Sequence, residues 1–433
     1  MVWTLVISIS TFILITLSLF LFPKIKIKNI TLSTYWIIAL VGASILLISS
    51  LSPINEVYNE LTSSKEINPL KILILFFSMT LISIYLDEYG LFRFLASLAI
   101  KKANKSQYTL FIIFYLLTAV LTVFTSNDIV ILTLTPFIIF FSKNAKINPL
   151  PYLIMEFAVA NTWSMMFIIG NPTNIYLASS ANINFISYFK VMWLPTLTSG
   201  IIEFIIIYLL FKKDLKNPIS INNDEYHIDS KVDLTIGISV LAICLIFLVI
   251  SSYINVEMYL VSLICAGVLT LATITIRLFT KKHYEYIYNP FKRLPYPLIP
   301  FFLSMFVIVV SYNHMGISSK ISELLGSSNS IWIYGYSSFI SSNVINNIPM
   351  SILYSSLTSN LTGSPYIEAI YSTIIGSNIG AFLTPIGALA GIMFSSLLNK
   401  YEVKFSFATF IKYGVIISIP VISPALAVLY LVI

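Results

Sequence analysis

Apolar residues fill this chain in long blocks, and polar residues fall either between the blocks or in tight knots inside them. Continuous apolar stretches occupy residues 2–22, 33–53, 69–87, 191–211, 233–252, 257–276, 298–313 and 408–430. Stretches of this order predict helices that cross the roughly 30 Å hydrocarbon layer of a bilayer. Four more, 107–142, 150–181, 330–360 and 367–398, are equally apolar but interrupted, by TSND, IGNPTN, SSNVINN and SNIGAFLTPIG. Non-helical backbone at membrane depth is tolerated only where it is buried in protein or lines a wet cavity. Four such breaks in one chain predict a transporter core rather than a receptor or an anchor.

Composition agrees. Of 433 residues, 58% are apolar and only 10% are charged, against about 25% charged in soluble domains. A soluble enzyme, a nucleic-acid binder and a disulfide-stapled secreted domain are thereby excluded. Lys24, Lys26 and Lys28 follow the first apolar block instead of preceding it, so that block reads as a membrane helix and not as a signal peptide.

Charge then orients the spans. With 107–142 and 330–360 as re-entrant hairpins and the other two interrupted stretches as full crossings, the chain crosses ten times. Of its 25 Lys and Arg, all but Lys65, Lys71, Lys190 and Lys320 then lie on one side, the bias expected of cytoplasmic loops. Reading 107–142 as one crossing would put Lys143 and Lys146 on the opposite side and invert everything after them. The expectation is an all-α protein of the plasma (inner) membrane, with both termini outside. The net charge of +7 reflects those loops rather than an acidic partner.

The knots come in pairs. Ser126–Asn127 recurs as Ser342–Asn343, and Asn161 with Gly170 recurs as Asn378 with Gly387, each pair displaced by half the chain length. This predicts two fused copies, 1–211 and 233–433, joined by a cytoplasmic linker at 212–232. Five crossings per copy make the second one inverted, an arrangement that puts substrate and coupling ions at the bilayer midplane. Segment 90–104 reads as an amphipathic interfacial helix, while 317–326 reads equally as such a helix or as a solvated elbow.

Each knot carries groups that begin a helix. Asn171–Pro172 and Thr384–Pro385 pair a capping residue with a proline suited to the first helical position, predicting half-helices that start in mid-membrane. Gly170 and Gly380 would supply the unwound turn, and Gly387 close packing just inside the second half-helix. Ser126, Asn127 and Asp128, like Ser342 and Asn343, would cap the second limbs of the hairpins. Several helix N-termini aimed at one point favour an oxyanion or polar oxygens; the bland alternative is that these residues only cap broken helices. No Lys or Arg falls in the core of any predicted span. The intramembrane acids are Asp128, Glu156 and Glu203, and acids there are suspects as proton or cation carriers. Asp128 ranks first because it lies in a knot, whereas Glu203 reads as a polar contact of the scaffold. His227, His283 and His314 have no metal-ligand spacing, and Cys244 and Cys265 are too few for a tight multi-thiol site. No nucleotide-binding or hydrolase motif is present, so the chain reads as a carrier and not an enzyme, with no cofactor beyond a coupling proton or sodium ion.

The runs TSNDIVILTLTPFI, EFAVANTWSMMFIIGNPTNIYLAS, NVINNIPMSILYSSL and GSNIGAFLTPIGALAGIMFSSLL resemble those of the arsenical-pump membrane proteins of the ion transporter superfamily. The resemblance implies a proton-coupled exporter of arsenite or antimonite working by alternating access. It implies functional positions at Ser126, Asn127, Asp128, Asn161, Asn171, Thr173, Asn346, Asn347, Asn378 and Thr384, to which the pairing of the knots adds Asn343 as a substrate contact, while Asp128 and Glu156 are the coupling-ion candidates as intramembrane acids. A homodimer and a soluble ATPase subunit are compatible with it. The GNPTN run departs from the arsenite branch and also occurs among relatives of other specificity. A sodium-coupled carrier of a carboxylate or inorganic anion, and a sensor that binds without transporting, are therefore the rival expectations.

Overall fold

The computed structural model describes the chain except for residues 23, 28–29, 63–67, 104–105, 217–218, 220–227, 229 and 252. Lys28, Lys65, Lys105, His227 and most of the 212–232 linker therefore lie outside the described residues. The first half comprises α1 (Val2–Leu21), a ribbon of β1 (Lys24–Ile27) and β2 (Ile30–Ser33), α2 (Thr34–Ile48), α3 (Ile54–Thr62), α4 (Pro69–Glu88), α5 (Leu91–Lys102), α6 (Gln107–Phe124), α7 (Asn127–Asn144), α8 (Leu150–Trp163), α9 (Pro172–Ser180) and α10 (Phe185–Phe211). The second comprises α11 (Lys231–Ile250), α12 (Met258–Thr280), α13 (Glu285–Arg293), α14 (Leu298–His314), α15 (Ile317–Leu325), α16 (Ser330–Ile345), α17 (Asn347–Thr358), α18 (Ser364–Gly380), α19 (Leu389–Lys400) and α20 (Phe407–Val432).

The all-α expectation holds apart from the ribbon, where Lys-Ile-Lys-Ile alternates with the period of a strand and Lys24 pairs with Ser33 in antiparallel register. Among the described residues, seven helical stretches are long and apolar enough to cross a membrane. α11 and α12 leave most of their apolar residues uncovered by protein, Ile243, Phe247, Ile264 and Leu271 among them. This is a multi-pass membrane protein whose outer surface is apolar because its solvent is lipid. α2 is shorter than the expected 33–53: it ends at Ile48, and Ser50 turns out of the helix at φ 57°. The segment at 317–326 is a helix, α15, entered through Gly316 at φ 66°, just as α5 is entered through Gly90 at φ 84°. The short helices α3 and α13 have no counterpart among the expected elements.

Element order and packing repeat with a period of ten helices. α2 packs on α14 and α4 on α12; α7 packs on α19 and α17 on α9; α6 packs on α8 and α16 on α18; α10 packs on α20. Adding ten to both members of a pair, cyclically, yields a pair of the same set, with α10 on α20 mapping onto itself. α1, α2, α4, α11, α12 and α14 form one layer, and the interrupted segments with α10 and α20 form the other. Ion pairs tie the first layer together at both ends. Lys71 meets Glu257 at 2.6 Å, and Arg293 meets Asp87 and Glu88 at 2.5 and 2.6 Å. Arg277 of α12 and Asp233 of α11 form a fully buried pair.

Candidate substrate site

Both interrupted crossings are broken where the polar knots fall, and they are broken in the same register. α8 ends at Trp163 and α18 at Gly380; α9 is capped by Asn171 and α19 by Ala388. Both boundaries repeat at the displacement that relates Asn161 to Asn378. In the first break the expected cap is present: the Asn171 side chain accepts from the Thr173 N–H at 3.2 Å, with Pro172 at the first helical position. In the second it is not. Thr384–Pro385 lies inside the irregular segment and α19 begins only at Leu389; the Thr384 hydroxyl donates to Asn343 Oδ1 at 2.8 Å.

The two glycines of that break also serve differently from expectation. Gly380 closes α18 in helical conformation, and a Cβ there would lie 2.5 Å from Ser342 Oγ, so it permits close approach of α16. Gly387 lies before the half-helix, where its carbonyl accepts from Asn347 N–H at 3.0 Å.

The hairpins correct another expectation. Ser126 caps α7, weakly, through Ile129 N–H at 3.5 Å. Its structural counterpart is Asn346, the cap of α17, and not Ser342, so the hairpins match one helical turn further along than the sequence pairing has it. Ser342 and Asn343 sit inside the last turn of α16 and cap nothing. Asn343 instead donates across to the Gly380 carbonyl at 3.0 Å, and Asn346 donates to the Ile386 carbonyl at 2.8 Å. Asn343, Asn346, Asn347 and Thr384 thus lock the tip of the second hairpin onto the second break.

Asn378 is the centre of the first break. Its Oδ1 accepts from the Ser164 hydroxyl and from Asn171 Nδ2, both at 2.9 Å, and its Nδ2 donates to Asn174 Oδ1 at 2.7 Å. One side chain of the second half therefore holds three residues of the first. The counterparts of Ser164, Asn171 and Asn174 in the second half are Ala381, Ala388 and Gly391, so Asn161 has no such mesh to enter. It accepts instead from Asn127 Nδ2 at 3.3 Å. Ser164 and Asn174 are not among the residues the sequence singles out, although Asn174 closes the GNPTN run and Ser164 lies six residues before it. Thr173 is fully buried, and its hydroxyl has no hydrogen-bond partner among the described residues.

A cavity of about 670 Å³ reaches the tip of the first hairpin at Asp128 and the second break at Pro385 and Ile386. Lys24, Arg293, Tyr35 and Thr80 also line it. Asp128 is half-buried there, its own N–H donating to Asn127 Oδ1 at 2.9 Å. Glu156 is elsewhere. It is fully buried between α7 and α8, where the Thr135 hydroxyl reaches its two oxygens at 3.0 and 2.9 Å. Of the two acids expected to couple transport, only Asp128 reaches the cavity.

Gly170 shows how tightly the first break is wound. A Cβ there would stand 2.3 Å from the Ser164 carbonyl oxygen, a backbone atom, whereas at Gly387 the nearest atom is the Asn343 side chain at 2.8 Å. Backbone cannot give way as a side chain can. Gly170→Ala is expected to lower flux by more than tenfold and Gly387→Ala by only a few fold, in proteoliposomes with equal amounts of protein.

Helices long and apolar enough to cross a membrane, paired half-helices and a cavity that reaches the second break define a secondary transporter. The chain matches the citrate transporter family, CitMHS, over residues 17–369, and it belongs to that family. It is also similar to the arsenical pump membrane proteins of Escherichia coli (24% identical, covering 82% of this chain and 85% of that one) and Yersinia enterocolitica (26%, with the same coverage). In overall fold it resembles the Alcanivorax borkumensis YdaH transporter, with a TM-score of 0.56 at 12% identity over 99% of this chain and 97% of that one.

Proposed function

We propose that this protein exports arsenite or antimonite in exchange for protons by alternating access between two inverted repeats, 1–211 and 233–433. The observation that carries the reading is the uncharged mesh of Asn171, Asn174, Ser164 and Asn378, in a chain whose cavity at the first hairpin tip and the second break is lined, among the described residues, by a single carboxyl, that of Asp128. Arsenite near neutral pH is mostly the uncharged trihydroxide. It needs oxygen and amide partners rather than a cation, and weak partners let an exporter release it. The relatives named as arsenical pumps support the same solute.

A carboxylate carrier is the second reading, favoured by the description of the matched family and by Lys24 beside the cavity, which would draw in an anion. Flux in proteoliposomes separates the two. Arsenite movement driven by a pH gradient and indifferent to sodium supports the first; sodium-dependent citrate movement replaces it with the second. Asp128→Asn is expected to keep substrate binding and lose at least tenfold of the gradient-driven flux. Normal proton-driven transport by that variant would remove Asp128 from the coupling role.

A further inference from the structure

Glu203 lies near the middle of the membrane on α10, fully buried, and neither of its carboxyl oxygens has a hydrogen-bond partner among the described residues. A carboxyl taken out of water in this way must hold a proton or admit a small cation or water, because an unpartnered charge at that depth is costly. The polar group that faces it from α8 is the buried Thr162 hydroxyl, close enough to act on the carboxyl though outside hydrogen-bond geometry, and with no other partner among the described residues. The titratable group that faces it is Tyr115 of α6. Among the described residues, α8, α11 and α20, which pack on α10, bring no charged side chain against it.

What makes this more than a scaffold contact is the last turn of α8. Four consecutive residues there point to four different places. Asn161 accepts from the hairpin tip through Asn127, and Thr162 faces Glu203. Trp163 donates to the Tyr115 hydroxyl at 3.1 Å and packs its ring against Gly200, leaving no room for a Cβ there. Ser164 donates to Asn378 in the substrate break. Tyr115 in turn donates to the Gly200 carbonyl at 2.6 Å, one helical turn before Glu203. Any movement of the break that shifts Ser164 must shift Thr162 and Trp163 as well, and these cover Glu203. α10 can respond because Pro195, two turns before Glu203, removes a hydrogen bond from its ladder.

We propose that Glu203 is a second coupling-ion site, loading and unloading a proton in step with the substrate break through the last turn of α8. The step is a proton transfer alone. The carboxyl gives H⁺ to water when the cover opens towards one face and regains it from water at the other, with no bond to the substrate. This rests on the proton-exchange reading above, and its tests are arranged to fail separately.

In proteoliposomes, Glu203→Gln is expected to exchange labelled arsenite normally at equal pH while losing at least tenfold of gradient-driven flux and of arsenite-coupled proton movement, read by an internal pH dye. Glu203→Asp should retain both. Wild-type proton movement per arsenite in Glu203→Gln, or the loss of both in Glu203→Asp with the protein folded, overturns the assignment. A second measurement does not need arsenite. In a protein keeping Trp163 alone, with phenylalanine at Trp3, Trp36, Trp193 and Trp332, emission should change in a single step with pH, and Glu203→Gln should abolish the step. A step absent from the parent, or kept in the Gln variant, overturns the proposal. Wild-type vesicles that move no arsenite would sink the substrate reading and leave this titration to decide Glu203.

Discussion

Asn378→Ala is expected to abolish transport while leaving a protein that inserts and purifies normally. Truncation removes the acceptor of Ser164 and Asn171 and the donor to Asn174, all of them buried. Ser164 retains an alternative acceptor in the Asn161 carbonyl at 2.6 Å, but the Asn171 amide and the Asn174 oxygen are left without these partners. A buried polar group without its partner costs about 1–3 kcal/mol, so the two together disfavour this arrangement of the break by about 3 kcal/mol or more. With a factor of ten for every ~1.4 kcal/mol, that is a hundredfold or greater loss of binding-competent protein. Asn161→Ala, the corresponding change in the other half, removes one long bond to Asn127 and should cost only about tenfold. Initial flux rates of the two variants, matched for protein, test the difference; equal rates would mean that the mesh is not what organises the site.

The second large effect is on stability. Arg277 and Asp233 face each other with almost no exposure, and Arg277 also reaches the Lys282 carbonyl at 3.2 Å and lies 5.4 Å from the Tyr286 ring. Arg277→Met would strand the Asp233 carboxylate, and removing one partner of a buried ion pair costs about 3–5 kcal/mol. A clear fall in Tm is expected in detergent or nanodiscs. The double variant Asp233→Leu with Arg277→Met should recover most of it, because replacing both charges by apolar groups removes the stranded ion as well. If the double variant is as unstable as the single one, the pair fastens α11 to α12 by something other than mutual neutralisation.

Arg277 also marks a limit of reading by span. It lies one residue beyond the apolar block 257–276, where a cytoplasmic loop is expected, yet the helix continues to Thr280 and carries it under the bundle. Hydropathy reports where water-avoiding residues stop. It does not report where a helix stops when an acid on its neighbour can receive a cation. The glycine and proline signals had a similar limit. Asn171–Pro172 starts a half-helix because the Asn171 oxygen caps it while the amide of the same side chain donates to Asn378. Thr384–Pro385 has the same local chemistry, and Asn343 has already engaged its hydroxyl.

What the sequence determined by itself was whatever depends on one residue's own preference for lipid or water. This includes the membrane class, the interrupted segments and the half-chain register that relates them, and the amphipathic α5. Only the tertiary structure decided which polar groups meet. It shifted the hairpin pairing by one helical turn, moved Asn343 from a cap to a bridge, made Asn378 the centre of the opposite break, and brought Asp128 rather than Glu156 to the cavity. The physical reason is that burial follows from composition along the chain. A hydrogen bond between Asn378 and Asn171, 207 residues apart, follows from how two broken helices pack, and no local pattern contains that distance.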